Sequence, residues 1–415
     1  MEPHAVSRRT LLKGGTATLA GISALRMAGP AEAFPGGHDE VIPWLDQPAP
    51  APPDLRNLLV WEELDSWITP ADDFFVVSHY NEPALDPRAF RLAISGLVAR
   101  PESFDLAALK ARPRRRVDFT LECSGNTGLP FFIGGIGNAR WGGTPLAPVL
   151  RQAGLSRDAT EVIFWGADRG PTAIRDNPGV LPLPAGSTGT TEPDATGGLD
   201  LTITERFARS MSVEEALGED NLLCYEMNGE PLPREHGFPL RLIAPGWYGI
   251  ANVKWLTRIE VVDQRFAGRF MAREYVTIRE QQVDGETVWT FLTVGRARLK
   301  SAPAKVTRRG NRYAVMGAAW GGEVDRVEVQ VDDGPWQEAR LREGRHGRRH
   351  GEFAWVFWTL RLGRLAPGEH TIRSRAIDEE GNVQPAQDDP FLASKRTYWE
   401  SNGQITRRVL IPAAS

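Results

Sequence analysis

A solitary thiol stands in TLECSGNTG, residues 120–128, where Cys123 closes an apolar run and opens a turn of small polar residues. A deprotonated thiol binds soft and transition metals. The second of the chain's two cysteines, Cys224 in NLLCYEMNGEPL, follows two leucines and suits a core as a small apolar side chain. The two lie far apart in unlike contexts, so no disulfide is expected and Cys123 reads as a free thiol. Zinc or an iron–sulfur cluster would require several Cys or His residues close together, and none cluster here. No Cys-x-x-Cys-His occurs, so no covalent haem is expected. A Cys–His nucleophile stays open on composition, with His79 and His236 available. A lone cysteine could hold a metal only if a cofactor supplied the other donors. Taken alone, Cys123 is better explained by packing than by function.

A second constellation alters that balance. NGEPLPREHGFPLRLIAPGWYGIANVKW gathers His236, Arg241 and Lys254 among rigid Pro and Gly turns. Such cations, together with loop amides, could clamp a phosphate.

The elements that must position these groups follow from length and texture. At 415 residues the chain suits two domains after a leader. Its 41% apolar content and mixed charge belong to a folded globular protein. A net charge of −4, with no dominant basic face, argues against a nucleic-acid partner. Abundant Gly and Pro favour strands and ordered turns over long helices. Strands are expected over 90–98, 115–125, 161–168, 222–229 and 239–246, and helices in DLAALKAR and PLAPVLRQAGL. Residues 177–198 lack periodicity and read as a long loop. From about residue 296 short strands alternate with tight turns. RVEVQVDDGPW sets Val327, Val329 and Val331 on one face before an Asp-Asp-Gly hairpin, which suggests an immunoglobulin-like sandwich.

At the start, Arg8 and Arg9 precede TATLAGISALRMAG and PAEAF, which fits a twin-arginine export signal over 1–33, cleaved after Ala33. Arg26 interrupts the apolar run, which is short of the ~20 residues that a span needs. The expectation is a periplasmic protein, exported folded, with no membrane span after signal removal. Residues 34–70 read as extended lead-in.

LECSGN, GNARWGGTPLAPVL, YEMNGEPLPREHGFPLRLIAPG and NVKW together resemble the sulfite oxidase family of molybdopterin enzymes, in the family's order and from about Ile68 to the C-terminus. The resemblance implies an α+β fold: a mixed α/β molybdopterin-binding domain over 71–265, a connecting segment over 266–295, and an all-β immunoglobulin-like dimerisation domain over 296–412. It implies that Cys123 is the one protein ligand to molybdenum, a pterin dithiolene and oxo groups supplying the rest. His79, Arg140, Asp168, His236, Arg241, Asn252, Val253 and Lys254 match cofactor-holding positions, and Tyr275 matches the active-site tyrosine. The implied reaction oxidises sulfite to sulfate by oxygen-atom transfer. An external carrier such as a c-type cytochrome takes the electrons, and the protein is a homodimer.

Departures bear on the substrate. Val77 and Gly128 stand where the family has arginines, and a third arginine is matched by Lys395 or Arg396. Losing two guanidinium groups weakens oxyanion binding unless other cations, such as Arg273 or Arg114 to Arg116, replace them. Two rival readings follow. One is a reductase of an S-oxide or N-oxide using the same cofactor. The other is an exported, non-catalytic binding protein in which Cys123 only packs.

Overall fold

The computed structural model describes residues 39–413 except 54, 129–132, 175–179, 185, 196–197 and 343–351. The expected export signal lies outside the described residues. Among those described, no helix is long and apolar enough to cross a membrane.

Two sheets carry the first part of the chain. In one, Arg115–Glu122 pairs antiparallel with Ile136–Pro145, which pairs with Leu222–Met227, and that strand also carries Arg241–Ile243. The other runs Glu102–Phe104, Leu92–Gly96, Leu256–Val262, Glu161–Ile174, Leu199–Ser212 and Gly189–Pro193. Between the sheets lies a core that includes Leu92, Phe164, Leu223, Leu242 and Ile259. The helix Leu146–Ala153 buries Leu146, Val149, Leu150 and Ala153 at helical spacing, and it stops at Gly154, whose φ of 72° takes the left-handed conformation that favours glycine. It is the longest α-helix among the described residues, so this part is mostly β and the α/β description holds only loosely.

The second part is all-β. Its strands follow the order Glu40–Ile42, Lys300–Arg309, Arg312–Trp320, Val356–Gly363, Gln337–Leu341, Val324–Val331, Gly368–Asp378 and Ile405–Ile411. The ends of that path meet. Trp44 bridges Val409, and Ser301 Oγ lies 2.9 Å from Ser374 Oγ. The sheet thus folds over a core containing Trp44, Val306, Val327, Val329 and Trp358. This order establishes a β unit closed on itself, and the narrower immunoglobulin-like description goes beyond it.

The structure differs from the expectations in four places. The lead-in is partly strand, because Glu40–Ile42 pairs with Arg308–Val306 along the edge of the C-terminal sheet. Within 177–198, Gly189–Pro193 pairs with Leu199–Ile203, where Thr190 and Thr191 supply β-branched stiffness that Gly and Pro neighbours obscure. The connecting segment holds a hairpin, Val276–Val283 with Glu286–Thr293, turned by Asp284-Gly285. Ile136–Pro145 carries too many glycines to read as a strand. A Cβ at Gly143 would stand 2.3 Å from Leu223 O, so glycine there is what lets the backbones approach.

The two parts are tied through one buried charge pair. Glu122 and Lys300 meet at 2.7 Å with both side chains wholly buried. Trp320 Nε1 donates to the second Glu122 oxygen at 2.9 Å, and Asn126 Nδ2 donates to the first at 2.9 Å. Removing one partner leaves an uncompensated buried charge, at a cost of about 3–5 kcal/mol. Lys300→Met is expected to lower the unfolding free energy from urea titrations by that order, and adding Glu122→Gln should recover most of the loss. Equal stability of the wild type and the single variant rejects the pair as a structural tie.

Candidate active site

Cys123 leaves the end of the strand Arg115–Glu122 and enters the wall of a cavity of about 650 Å³, part of it open to solvent. Its N–H donates to Gly135 O at 2.8 Å, and its carbonyl accepts from Asn126 N at 2.9 Å. The backbone that carries the sulfur is therefore held on both sides. Burial pushes its thiol up to about 11, against the N–H of Gly125. A bound metal cation takes the place of such a proton. Cys224 is free and fully buried, as expected of a core residue.

His79 and Tyr275 face the same cavity, with Nε2 and the phenol oxygen 2.5 Å apart. Burial, with Lys254 and Arg269 nearby, lowers His79 to about 3, so the ring stays neutral and can accept from the phenol. Tyr275 takes a φ of 57°, a backbone conformation costly for a non-glycine residue. Its carbonyl accepts from Val294 N at 2.8 Å, which helps hold it there.

On another wall stand Asp168, His236, Arg241, Asn252 and Lys254. Arg241 is wholly buried, and its guanidinium donates to His236 O and Asn252 O at 3.0 Å each. Lys254 Nζ donates to Val77 O, Ser78 Oγ and Glu235 O, each at 2.9 Å. These cations thus spend most of their donors bracing the loop, and their charge is what faces the cavity. Asn252 also braces: its Oδ1 accepts from Ala244 N at 2.8 Å and its Nδ2 donates to Tyr248 O at 3.0 Å. Burial lowers Lys254 to about 7, with Arg241 adding to the effect, and raises Asp168 to about 7 against the pull of Lys254. His236 is lowered to about 3 by burial and Arg241, with Nε2 3.1 Å from Ala71 O.

Two of the residues matched by sequence stand elsewhere. Arg140 lies outside the cavity, in a bidentate pair with Asp118 on the neighbouring strand at 2.8 and 2.9 Å. Val253 is buried behind the wall, its carbonyl accepting from Leu242 N at 2.8 Å. Neither the replacement cations nor the matches to the third arginine line the cavity. Arg273 pairs with Glu205, Arg114 with Glu226, Arg115 with Asp220 and Arg396 with Glu280. Lys395 Nζ donates to Ser401 Oγ at 3.1 Å. Arg116 sits exposed on its strand.

Sequence reasoning missed Ser78, Phe207, Arg209, Phe270, Tyr398 and Trp399. Phe207 and Phe270 pack on His79 with centroids at 5.4 and 4.8 Å. Trp399 stacks on Tyr275 at 4.1 Å. The adjacent Tyr398-Trp399 pair in a turn-rich stretch was the one available signal, since paired aromatics seldom sit in turns without something to cover.

The donors fit a molybdopterin cofactor. Among the described residues no three His, Cys, Asp or Glu side chains gather around a metal, so a metal on Cys123 draws its other donors from elsewhere. Asp168 Oδ1 and Arg241 Nε are buried without partners, a carboxylate oxygen and an N–H left for a polar ring and an anion. Cys123 would hold the metal, Asp168 and His236 the pterin, and the charges of Arg241 and Lys254 its phosphate.

His79 and His236 are neutral when folded and titrate normally when unfolded, so the unfolded chain binds more protons between about pH 3 and 6.5. Their stabilisation is present above 6.5 and lost as pH falls through that window. Asp168, raised to about 7, has the opposite sign but is a single group. In the cofactor-free protein, His236→Gln should therefore narrow the stability gap to wild type by about 1.4 kcal/mol per pH unit on acidification from 6.5. A pH-independent gap in urea titrations contradicts a neutral buried His236.

Comparison with known proteins agrees with this geometry. The oxidoreductase molybdopterin binding domain matches residues 79–180 and 188–270, and the Mo-co oxidoreductase dimerisation domain matches residues 296–399. The sulfite oxidase of Gallus gallus is 33% identical over 77% of this chain and 69% of its own length. The mitochondrial sulfite oxidase of Rattus norvegicus is 33% identical over 81% of this chain, which spans 59% of that protein. The crystal structure of the sulfane dehydrogenase SoxCD from Paracoccus pantotrophus superposes with a TM-score of 0.68 at 23% identity, covering 99% of this chain and 100% of that one, a likeness of fold. With Cys123 on the cavity wall and both domain profiles matched in order, the chain belongs to the sulfite oxidase family of molybdopterin-dependent oxidoreductases.

Proposed function

We propose that this protein oxidises a sulfur oxyanion, sulfite in the simplest case, after export to the periplasm by the twin-arginine route. It acts as a homodimer through its C-terminal unit, an immunoglobulin-like sandwich on this reading, and passes electrons singly to a separate carrier such as a c-type cytochrome. The observation that supports this reading best is the pairing of one free thiol with an orphaned carboxylate oxygen across a single cavity. When bound, the cofactor supplies oxygen-atom transfer and storage of two electrons. The chain's own residues do the rest. Cys123 fixes the reacting centre against the backbone of Gly135 and Asn126. Tyr275, held by His79, sets its ring and oxygen on the cavity wall where the substrate would lie. Phe207, Phe270 and Trp399 exclude water, which strengthens each remaining polar contact. The reductase alternative keeps the same cofactor and is separated by assay direction: sulfite with an electron acceptor against an S-oxide with a reduced dye.

Cys123→Ser should bring sulfite-dependent acceptor reduction to background while circular dichroism and sizing stay unchanged. Wild-type turnover in that variant removes the ligand assignment. Protein from a cofactor-competent host that contains no molybdenum removes the enzyme reading altogether. Val77 lines the cavity and carries no charge. If charge limits binding, Val77→Arg should lower the KM for sulfite about tenfold, as one charge-assisted contact would. An unchanged KM means that the charge is already supplied.

A further inference from the structure

The segment that leads into the last strand of the C-terminal unit reaches back over the loop of Cys123. Glu400 N donates to Ser124 O at 2.8 Å, and Thr127 Oγ1 donates to Ser401 O at 3.0 Å. This strap carries two rings. Trp399 lies flat on Tyr275, centroids 4.1 Å apart and planes 25° apart, and Tyr398 packs on Trp399 at 4.2 Å. A Cβ at Gly125 would stand 3.3 Å from the Tyr398 ring, so that ring covers the turn directly after Cys123. At Gly128 a Cβ would stand 2.3 Å from Tyr398 O. No side chain fits at 128 while the strap is in place, least of all an arginine. The strap therefore replaces a cation with an aromatic surface.

The charge left around this wall is small. Arg298 is answered by Glu400, and Arg273 by Glu205, at 3.6 Å each. Arg209, buried behind Tyr275, makes no ion pair among the described residues. It is 1% exposed and donates to the carbonyls of Phe270 and Val294, the latter the residue whose N–H holds Tyr275 O. One uncompensated positive charge in a low-dielectric wall attracts one negative charge well and a second poorly, since each further charge costs desolvation without a partner.

We propose that Tyr398 and Trp399 determine specificity, admitting a sulfur compound with one negative charge and an apolar substituent, an organic sulfinate, in preference to the sulfite dianion. The proposal rests on the sulfur-oxidising reading above. A sulfinate keeps the sulfur lone pair of sulfite, with a carbon in place of one anionic oxygen, and that carbon group packs on the rings. The reaction balances as R–SO2⁻ + H2O → R–SO3⁻ + 2H⁺ + 2e⁻. The lone pair becomes an S–O bond, the oxygen comes from water, both water protons are released, and two one-electron acceptor molecules are reduced.

The test uses molybdenum-loaded full-length protein and two inert products, benzenesulfonate and sulfate, titrated calorimetrically at equal ionic strength. Benzenesulfonate should bind at least about tenfold more tightly, a difference worth 1.4 kcal/mol. In Tyr398→Ala and in Trp399→Leu the ratio should fall towards unity. Tyr398 is 39% exposed, so its truncation removes little from the core and either variant can report alone. With ferricyanide as acceptor, kcat/KM for benzenesulfinate should exceed that for sulfite in the wild type. Sulfate binding as tightly as the sulfonate, or a ratio unmoved in both variants, overturns the proposal. If sulfite is turned over better than benzenesulfinate, the specificity assignment fails and sulfur oxidation stands. If loaded protein oxidises neither, the function reading itself fails, while the binding ratio still judges the wall.

Discussion

Everything near the Cys123 sulfur depends on a carboxylate with no access to water. Glu122 immediately precedes Cys123, and it is held at once by Lys300 and Trp320 of the C-terminal unit and by Asn126 of the cysteine loop. Asn126 in turn accepts from Gly135 N, the residue whose carbonyl receives the Cys123 N–H. A buried carboxylate tolerates no loose partner, because each missing hydrogen bond costs the desolvation of a charge. The consequence is geometric. The C-terminal unit cannot shift without disturbing the loop that carries the thiol, so the two parts form one active centre.

The cavity follows a different logic on its opposite wall. Arg241 and Lys254 sit buried with few neutralising carboxylates, and their N–H groups brace backbone carbonyls of the 234–254 loop. Burial lowers both, and for Lys254 the neighbouring charge of Arg241 adds to the effect. Such an arrangement is unfavourable until an anion arrives, which makes the wall a preorganised receptor for a phosphate-bearing cofactor. Burial likewise keeps His79 uncharged beside Tyr275, so the phenol has an acceptor and no competing cation.

The wall over Cys123 is built by chain segments remote in sequence. Tyr275 belongs to the turn before a hairpin, Trp399 to the C-terminal strap, and Phe207 to a long strand of the six-stranded sheet. Their rings meet around His79 and each other, leaving an apolar enclosure with the buried Arg209 behind it. This differs from the arginine-lined pocket that the family resemblance implies, and Gly128 shows why: the volume for a side chain there is taken by Tyr398 O.

Much of this was legible in the residues themselves. Hydrophobic periodicity marked the helix Leu146–Ala153 and the strands around Cys123 and Cys224, and rigid Pro and Gly turns marked the 228–255 block as a built loop. Motif identity and order singled out His79, Cys123, Asp168, His236, Arg241, Asn252, Lys254 and Tyr275, which the fold gathers around one cavity. What the sequence left open was set by contacts between distant segments. Arg140 reads as a binding residue, yet its strand register places Asp118 opposite it, and a guanidinium takes the nearest carboxylate. The glycine-rich strand Ile136–Pro145 forms because close backbone approach outweighs poor β propensity. The chemistry of the centre is written locally, in a thiol and its turn. The shape and charge of the space above it come from tertiary packing, because desolvation and ion pairing depend on which side chains the fold brings within a few ångströms.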